Sequence, residues 1–156
     1  MANTTDSANV IIRPPIAWAV SVLAGLALNR LTPLPFVPAV APAGWVGGMV
    51  FALALALLAW AIATITRAGS NVPTNRPTTT IVEAGPYRFT RNPIYLSMTL
   101  GLIGLAIALN SLWLLLTLIP FALVIRYGVI AREEAYLERK FGDVYSRYRA
   151  RVRRWL

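Results

Sequence analysis

From Gly44 to Thr66 the chain reads GWVGGMVFALALALLAWAIATIT, 23 residues without one charged side chain. As a helix this run would measure about 34 Å, against about 30 Å for the hydrocarbon core of a bilayer. In water such a helix would need apolar cover on every side. A chain of 156 residues that is 57% hydrophobic and 13% charged has a bilayer as the cheaper solution. Three further apolar runs fit the same reading: Pro15 to about Leu31, Ile94 to Leu109, and Leu112 to about Ile130. The last two are separated only by Asn110-Ser111, which reads as a tight turn closing a helical hairpin. Pro120 lies inside the fourth run and is expected to kink it.

Orientation follows from the basic residues. Thirteen of the fifteen Lys and Arg lie after residue 66, mostly in the link 67–93 and in the tail from residue 131. The link 31–43, LTPLPFVPAVAPA, carries no charge. The positive-inside rule therefore puts link 67–93, the tail and both termini in the cytoplasm. Membrane lipids account for the net charge of +9 better than nucleic acid does. With neither Cys nor His in the chain, disulfides, thiolate chemistry, a His base and zinc held by His or Cys are excluded. The opening MANTTDSANV lacks the basic-then-apolar order of a cleaved signal peptide.

After the fourth run, Leu137, Phe141, Val144, Tyr145, Tyr148, Val152 and Trp155 recur at steps of three and four. This predicts an amphipathic helix on the cytoplasmic interface, its arginines toward headgroups, broken where Gly142 closes one helix and Asp143 caps the next. The fold expected is all-α and integral to the membrane, with about four transmembrane helices, the last two a hairpin, plus this C-terminal helix. A polar tail over 1–14 precedes one domain over 15–156. Within it, 15–66 holds two spans, 67–93 a cytoplasmic link, 94–130 the hairpin and 131–156 the amphipathic helices. The stretch RAGSNVPTNRPTTT (67–80) reads as a mobile surface loop.

Two polar clusters then share one face. GPYRFTRNPIY, Gly85 to Tyr95, enters the third run, and Arg132-Glu133-Glu134 leaves the fourth. Paired carboxylates beside an apolar span are costly unless a cation meets them. Arg88, Arg91 or a cationic ligand is available. Pro93 suits a first helical turn, whose free N–H groups can receive an anion. Taken singly, Arg88 and Arg91 are positive-inside markers, Tyr87 and Tyr95 interfacial anchors, and Glu133 and Glu134 a solvated helix start. Only the combination argues for chemistry.

Gly85-Pro86-Tyr87, Arg91-Asn92-Pro93-Ile94-Tyr95, Glu133-Glu134, Leu137, Phe141-Gly142, Tyr145 and Tyr148, in this order, resemble the isoprenylcysteine carboxyl methyltransferases and the related phospholipid methyltransferases. The resemblance covers residues 83–156. It implies membrane methyl transfer from S-adenosylmethionine, with Tyr87, Arg91, Asn92, Pro93, Tyr95, Glu133, Glu134, Tyr145 and Tyr148 around the cofactor and no metal. It further implies Glu134 and Arg151 as catalytic, Arg151 standing near the reacting group. Asn92 replaces a common histidine, and Ser97 a frequent glycine whose packing Gly101 and Gly104 can supply.

The chemistry needs little from the protein. The donor carries its own leaving group, and a carboxylate acceptor is already ionised near neutrality, so placement and desolvation suffice. The expectation is O-methylation of a lipophilic or lipidated carboxylate such as an isoprenylcysteine-like group, at a site facing the cytoplasm from the plasma or inner membrane. The alternatives are phospholipid N-methylation, where Glu133 or Glu134 would take a proton, a non-catalytic lipid-binding protein, and a sterol-reductase-like enzyme using a nicotinamide.

Overall fold

The computed structural model describes residues 6–38, 41–72 and 77–156, and among these there is no strand. Helix α1 spans Pro14–Leu31, with Pro14 and Pro15 in its first turn, where missing N–H groups cost nothing. Helix α2 spans Ala43–Arg67 and contains the long uncharged run. Helix α3, Pro93–Ala108, is the shorter return. The final rod runs from Leu112 to Phe141, 30 residues. By length and apolar character α1, α2 and this rod can each cross a bilayer, while α3 with 16 residues is shorter than those three.

The tightest helix crossing is that of α2 on α3. A Cβ on Gly104 would stand 2.7 Å from the Phe51 amide nitrogen and 3.0 Å from the Gly47 carbonyl, so the two backbones touch there. The small residues that permit this are Gly47 and Gly104. Gly101 meets only side-chain atoms at 3.7 Å or more. Helix α1 packs instead on α3 and the final rod, and it barely touches α2.

The hairpin turn is held by its own asparagine. Asn110 adopts φ 46°. Its side-chain carbonyl accepts from the amides of Phe36 at 2.9 Å and Val37 at 2.7 Å, and its amide donates to Val37 O at 2.9 Å. Link 32–38 is thereby tied across the hairpin.

The rod itself is uneven. It begins as α4 (Leu112–Leu116) and α5 (Leu118–Leu123), widens to a π-helix over Val124–Ile130, and continues as α6 (Ala131–Phe141). The interruption expected at Pro120 falls at Thr117, whose hydroxyl donates to Leu114 O at 2.7 Å. A proline has no N–H for the carbonyl four residues earlier and crowds it, so the disturbance appears upstream. The π stretch shifts the register of everything after it, and π segments often accompany functional sites. Glu133 and Glu134 begin three residues beyond it.

Helix α6 is thus a direct continuation of the fourth span. The chain breaks at Gly142, φ 50°, and α7 (Asp143–Arg151) turns back. Asp143 is the first residue of α7 and its side chain makes no capping bond, contrary to the expected cap. The expected apolar face is only partly used: Tyr145 and Tyr148 are buried, Val144 is 46% exposed, and Val152 and Trp155 follow the end of the helix. The reason is polar: Tyr148 packs on the Gly85–Tyr95 stretch and donates to Tyr87 O at 2.8 Å. The loop at 67–80 is tied at its flanks, Thr79 Oγ1 donating to Gly69 O and Asn71 Nδ2 to Pro77 O, both at 2.8 Å. The middle of the expected mobile loop, residues 73–76, lies outside the described residues.

Candidate active site

Gly85–Arg88 forms one turn of 3-10 helix. Gly85 has φ 55°, and a Cβ there would lie 2.7 Å from Thr64 Oγ1, so glycine both makes the turn and lets it sit against α2. The turn buries Tyr87 and leads through Thr90 and Asn92, also buried, to Pro93 at the start of α3. Donors just ahead of this helix are taken by the C-terminal segment of the chain. Arg91 N donates to Arg153 O at 3.0 Å, Thr90 Oγ1 to Arg154 O at 3.1 Å, and Asn92 Nδ2 to Arg154 O at 2.9 Å. Asn92 N donates to Thr90 Oγ1 at 3.2 Å. The backbone amides of Arg91 and Asn92 are therefore occupied, while those of Ile94 and Tyr95 in the first turn of α3 have no acceptor among the described residues. Asn92 is an orienting amide holding the tail.

The two glutamates part company. Glu134 is gripped by two arginines: Arg91 Nη2 at 3.2 Å, and Arg154 through Nε at 3.0 Å and Nη2 at 2.6 Å. The paired fork on one carboxylate is a strong, orienting contact. Glu133 accepts from Tyr95 Oη at 2.6 Å, and its second oxygen has no protein partner among the described residues. Arg91 Nη1 also donates to Tyr145 Oη at 3.3 Å. Of three buried side-chain polar atoms without a partner among the described residues, Asn29 Oδ1 lies elsewhere and two stand at this site, Tyr87 Oη and Arg91 Nε. A buried donor left unsatisfied is costly, and these two point to a ligand.

The hydroxyls stay protonated. Burial, and after it the charge of Glu133, holds the Tyr87 phenol well above its ordinary range. Tyr148 is raised by burial and then by Tyr87, and Tyr145 by burial and then by Glu134. The hydrogen bonds to Glu134 push Arg154 further up, so it remains a cation throughout.

Eight of the expected residues line one cavity of about 140 Å³: Tyr87, Arg91, Asn92, Pro93, Tyr95, Glu133, Tyr145 and Tyr148. Glu134 stands behind them as the clamp on Arg91. Arg151 is elsewhere: it is exposed and pairs with Glu83 at 2.6 Å, while Arg88 is exposed at the surface. The arginine brought to the glutamates is Arg154, which sequence reasoning placed only in the basic run. Tyr136 was missed as well. It is buried under two segments that roof the cavity, accepting from Thr78 N at 3.3 Å and donating to Asp6 Oδ1 at 2.7 Å. Beside it, Arg132 Nη1 donates to Asn9 O at 2.9 Å. No group of His, Cys, Asp and Glu among the described residues can hold a metal ion.

A second cavity, about 670 Å³, lies between α1, α2 and α3 and is lined by apolar side chains such as Trp18, Phe51, Leu58 and Met98. Val72, Ile94 and Tyr95 border both cavities, so the polar one gives onto the apolar one.

Among known proteins, no solved structure matches the chain. An uncharacterized protein of Haemophilus influenzae is 51% identical over 63 residues, which is 40% of this chain and all of that protein. Residues 42–144 match the family described as phospholipid methyltransferase. The match opens at α2 and closes inside α7, leaving α1, Tyr148 and Arg154 outside it. By this match over more than half its length the chain belongs to the phospholipid methyltransferase family, whose members are membrane methyltransferases.

Proposed function

We propose that the protein transfers a methyl group from S-adenosylmethionine to a lipophilic acceptor at the cytoplasmic end of the bundle. The observation that carries this reading is Tyr95, the side chain at which a polar, arginine- and glutamate-lined cavity meets an apolar cavity within the membrane. A water-soluble donor suits the first and a lipid chain the second.

The residues fit the donor. Tyr87 Oη and Arg91 Nε are buried donors in want of acceptors, which a carboxylate, ribose or adenine offers. When bound, S-adenosylmethionine supplies an electrophilic methyl group whose leaving group is a neutral thioether. The chain's own work is placement and exclusion of water. Arg154 and Glu134 fix Arg91, and the tail carbonyls fix Asn92 and the start of α3. Small-molecule sites usually measure about 300–1,000 Å³. At about 140 Å³ the polar cavity is narrower, so entry of a nucleoside-sized ligand requires the roof over Tyr136 to lift.

For the nucleophile, Glu133 moves the preference from the ionised carboxylate expected above to an amine. A carboxylate with a free oxygen at the junction repels an anionic acceptor and can accept an amine's proton. Carboxylate O-methylation is the second reading, supported by the small demand it makes on a base. Calorimetry on the detergent-purified protein tests the donor assignment. S-adenosylmethionine and its demethylated product should bind, a reduced nicotinamide should not, and Tyr87→Phe should weaken donor binding by about 0.5–1.5 kcal/mol, one neutral hydrogen bond. Nicotinamide binding, or no binding of either, would reject the assignment.

A further inference from the structure

The apolar cavity has one charged residue in its lining, and that residue lies outside the segment matched to the family. Arg13 immediately precedes α1 and stands at the end of the cavity that also holds Ile62, Ile94 and Tyr95. Its side chain is exposed, and among the described residues it forms no ion pair. Asp6, Glu83, Glu134 and Glu138 are each matched to other cations. Pro14 and Pro15 remove two N–H groups from the helix start, so the guanidinium is the anion donor at this position. From Ile94 to Gly101 the cavity follows α3 for about 10 Å, seven residues at helical rise. Helices α1 and α2 barely touch, and the cavity lies between them.

A cation at the membrane boundary, with an apolar slot behind it, matches an amphiphile whose anion sits where chain and headgroup join. The planar fork of arginine favours phosphate, which it binds through two parallel hydrogen bonds. We propose that Arg13 positions the methyl acceptor by holding the phosphate of a glycerophospholipid. An acyl chain lies between α1, α2 and α3, and the rest of the headgroup turns toward Tyr95 and Glu133. This inference rests on the acceptor site proposed above.

The test uses the full chain in phosphate-free maltoside micelles, with a photoactivatable phosphatidic acid carrying its reactive group in mid-chain. Cross-links are mapped to peptides of α2 and α3. With the wild type, labelling should fall on the cavity-lining stretch of α2 or around Met98. Arg13→Gln should lower it about tenfold at sub-saturating probe, the effect of one lost charged hydrogen bond. Arg13→Lys, which keeps the charge without the fork, should fall between. A matching diacylglycerol probe, which lacks the phosphate, should label all three proteins alike. In methyl transfer, Arg13→Gln should raise KM for a phospholipid acceptor and leave kcat in place. Equal phosphatidic acid labelling of wild type and Arg13→Gln overturns the proposal. So does a photoactivatable fatty acid whose labelling depends on Arg13 just as strongly, since the site would then be one for a carboxylate. Arg13-dependent labelling without any methyl transfer would reject the methyltransferase reading and keep the phosphate site. Methyl transfer with Arg13-independent labelling would do the reverse.

Discussion

Removing the last five residues, 152–156, should dismantle the polar cavity although none of the five lines it. The tail supplies three acceptor contacts to the start of α3: Arg153 O to Arg91 N, and Arg154 O to both Thr90 Oγ1 and Asn92 Nδ2. It also supplies the Arg154 fork on Glu134. At about 0.5–1.5 kcal/mol for each neutral bond and about 1.5–3 for the charged contact, the gross loss is about 3–7.5 kcal/mol. Water entering the vacated space satisfies some of these donors, and the Arg154 side chain is already 32% exposed. The net cost should therefore be about 2–4 kcal/mol. Arg154→Ala isolates the fork and leaves the carbonyls in place; its cost should be about 1 kcal/mol, because Glu134 keeps Arg91. Thermal scanning in detergent measures both. With about 2–4 °C per kcal/mol for a chain of this size, the truncation should fall by about 4–16 °C and Arg154→Ala by about 2–4 °C. Calorimetric donor affinity should fall in the same order. A truncated protein with unchanged melting and donor binding would refute the tail as a structural part of the site.

Tyr136→Phe keeps the ring but removes the hydroxyl shared by the Asp6 and Thr78 segments, so the roof should open about 3–10-fold more often; a thiol introduced at Ala8, the chain having no other, should react faster with a water-soluble reagent by that factor. Stability should fall above about pH 10, because buried Tyr87, Tyr145 and Tyr148 have folded pKa values above their unfolded ones and contribute stability that is lost as they ionise; Tyr145→Phe should reduce that alkaline loss in a melting series. Gly104→Leu forces a side chain against the Phe51 backbone and should cost about 1–3 kcal/mol or part α2 from α3, visible in the same melting assay. Cysteines at Ser70 and Ala41 should label from opposite sides of the membrane, and labelling from one side would contradict the positive-inside orientation.

The hairpin was legible because Asn110-Ser111 sets two adjacent turn-forming residues in the middle of a long apolar run, and the structure adds that Asn110 ties the preceding link as well. The cavity residues were legible only in combination: singly Tyr87 and Tyr95 read as interfacial anchors and Glu133 as a solvated helix start, and it was the order of the two motifs, with the family it resembles, that set them together. Arg154 was not. It lies past the end of α7, where helical periodicity stops, within a run in which Arg151, Arg153 and Arg154 are chemically alike. Only tertiary packing decides that Arg151 meets Glu83 while Arg154 meets Glu134. The π stretch at Val124–Ile130 left no mark either, since apolar residues accept either winding and register is set by what the glutamates must reach. The two roof segments were read as tail and loop because their contacts with Tyr136 span up to 130 residues of sequence.

The central claim is methyl transfer to a lipid, and its most direct measurement is incubation of the purified protein with methyl-labelled S-adenosylmethionine and a total lipid extract. The account predicts label in the organic phase, in a species that mass spectrometry shows to be one methyl group heavier than a lipid of the extract. It predicts a rate that rises with pH as an amine acceptor loses its proton, and little product from Glu133→Gln. Label in an organic-phase ester, at a rate flat between about pH 6 and 9, would establish carboxylate O-methylation instead. A protein that binds the donor yet leaves every lipid unlabelled would contradict the account.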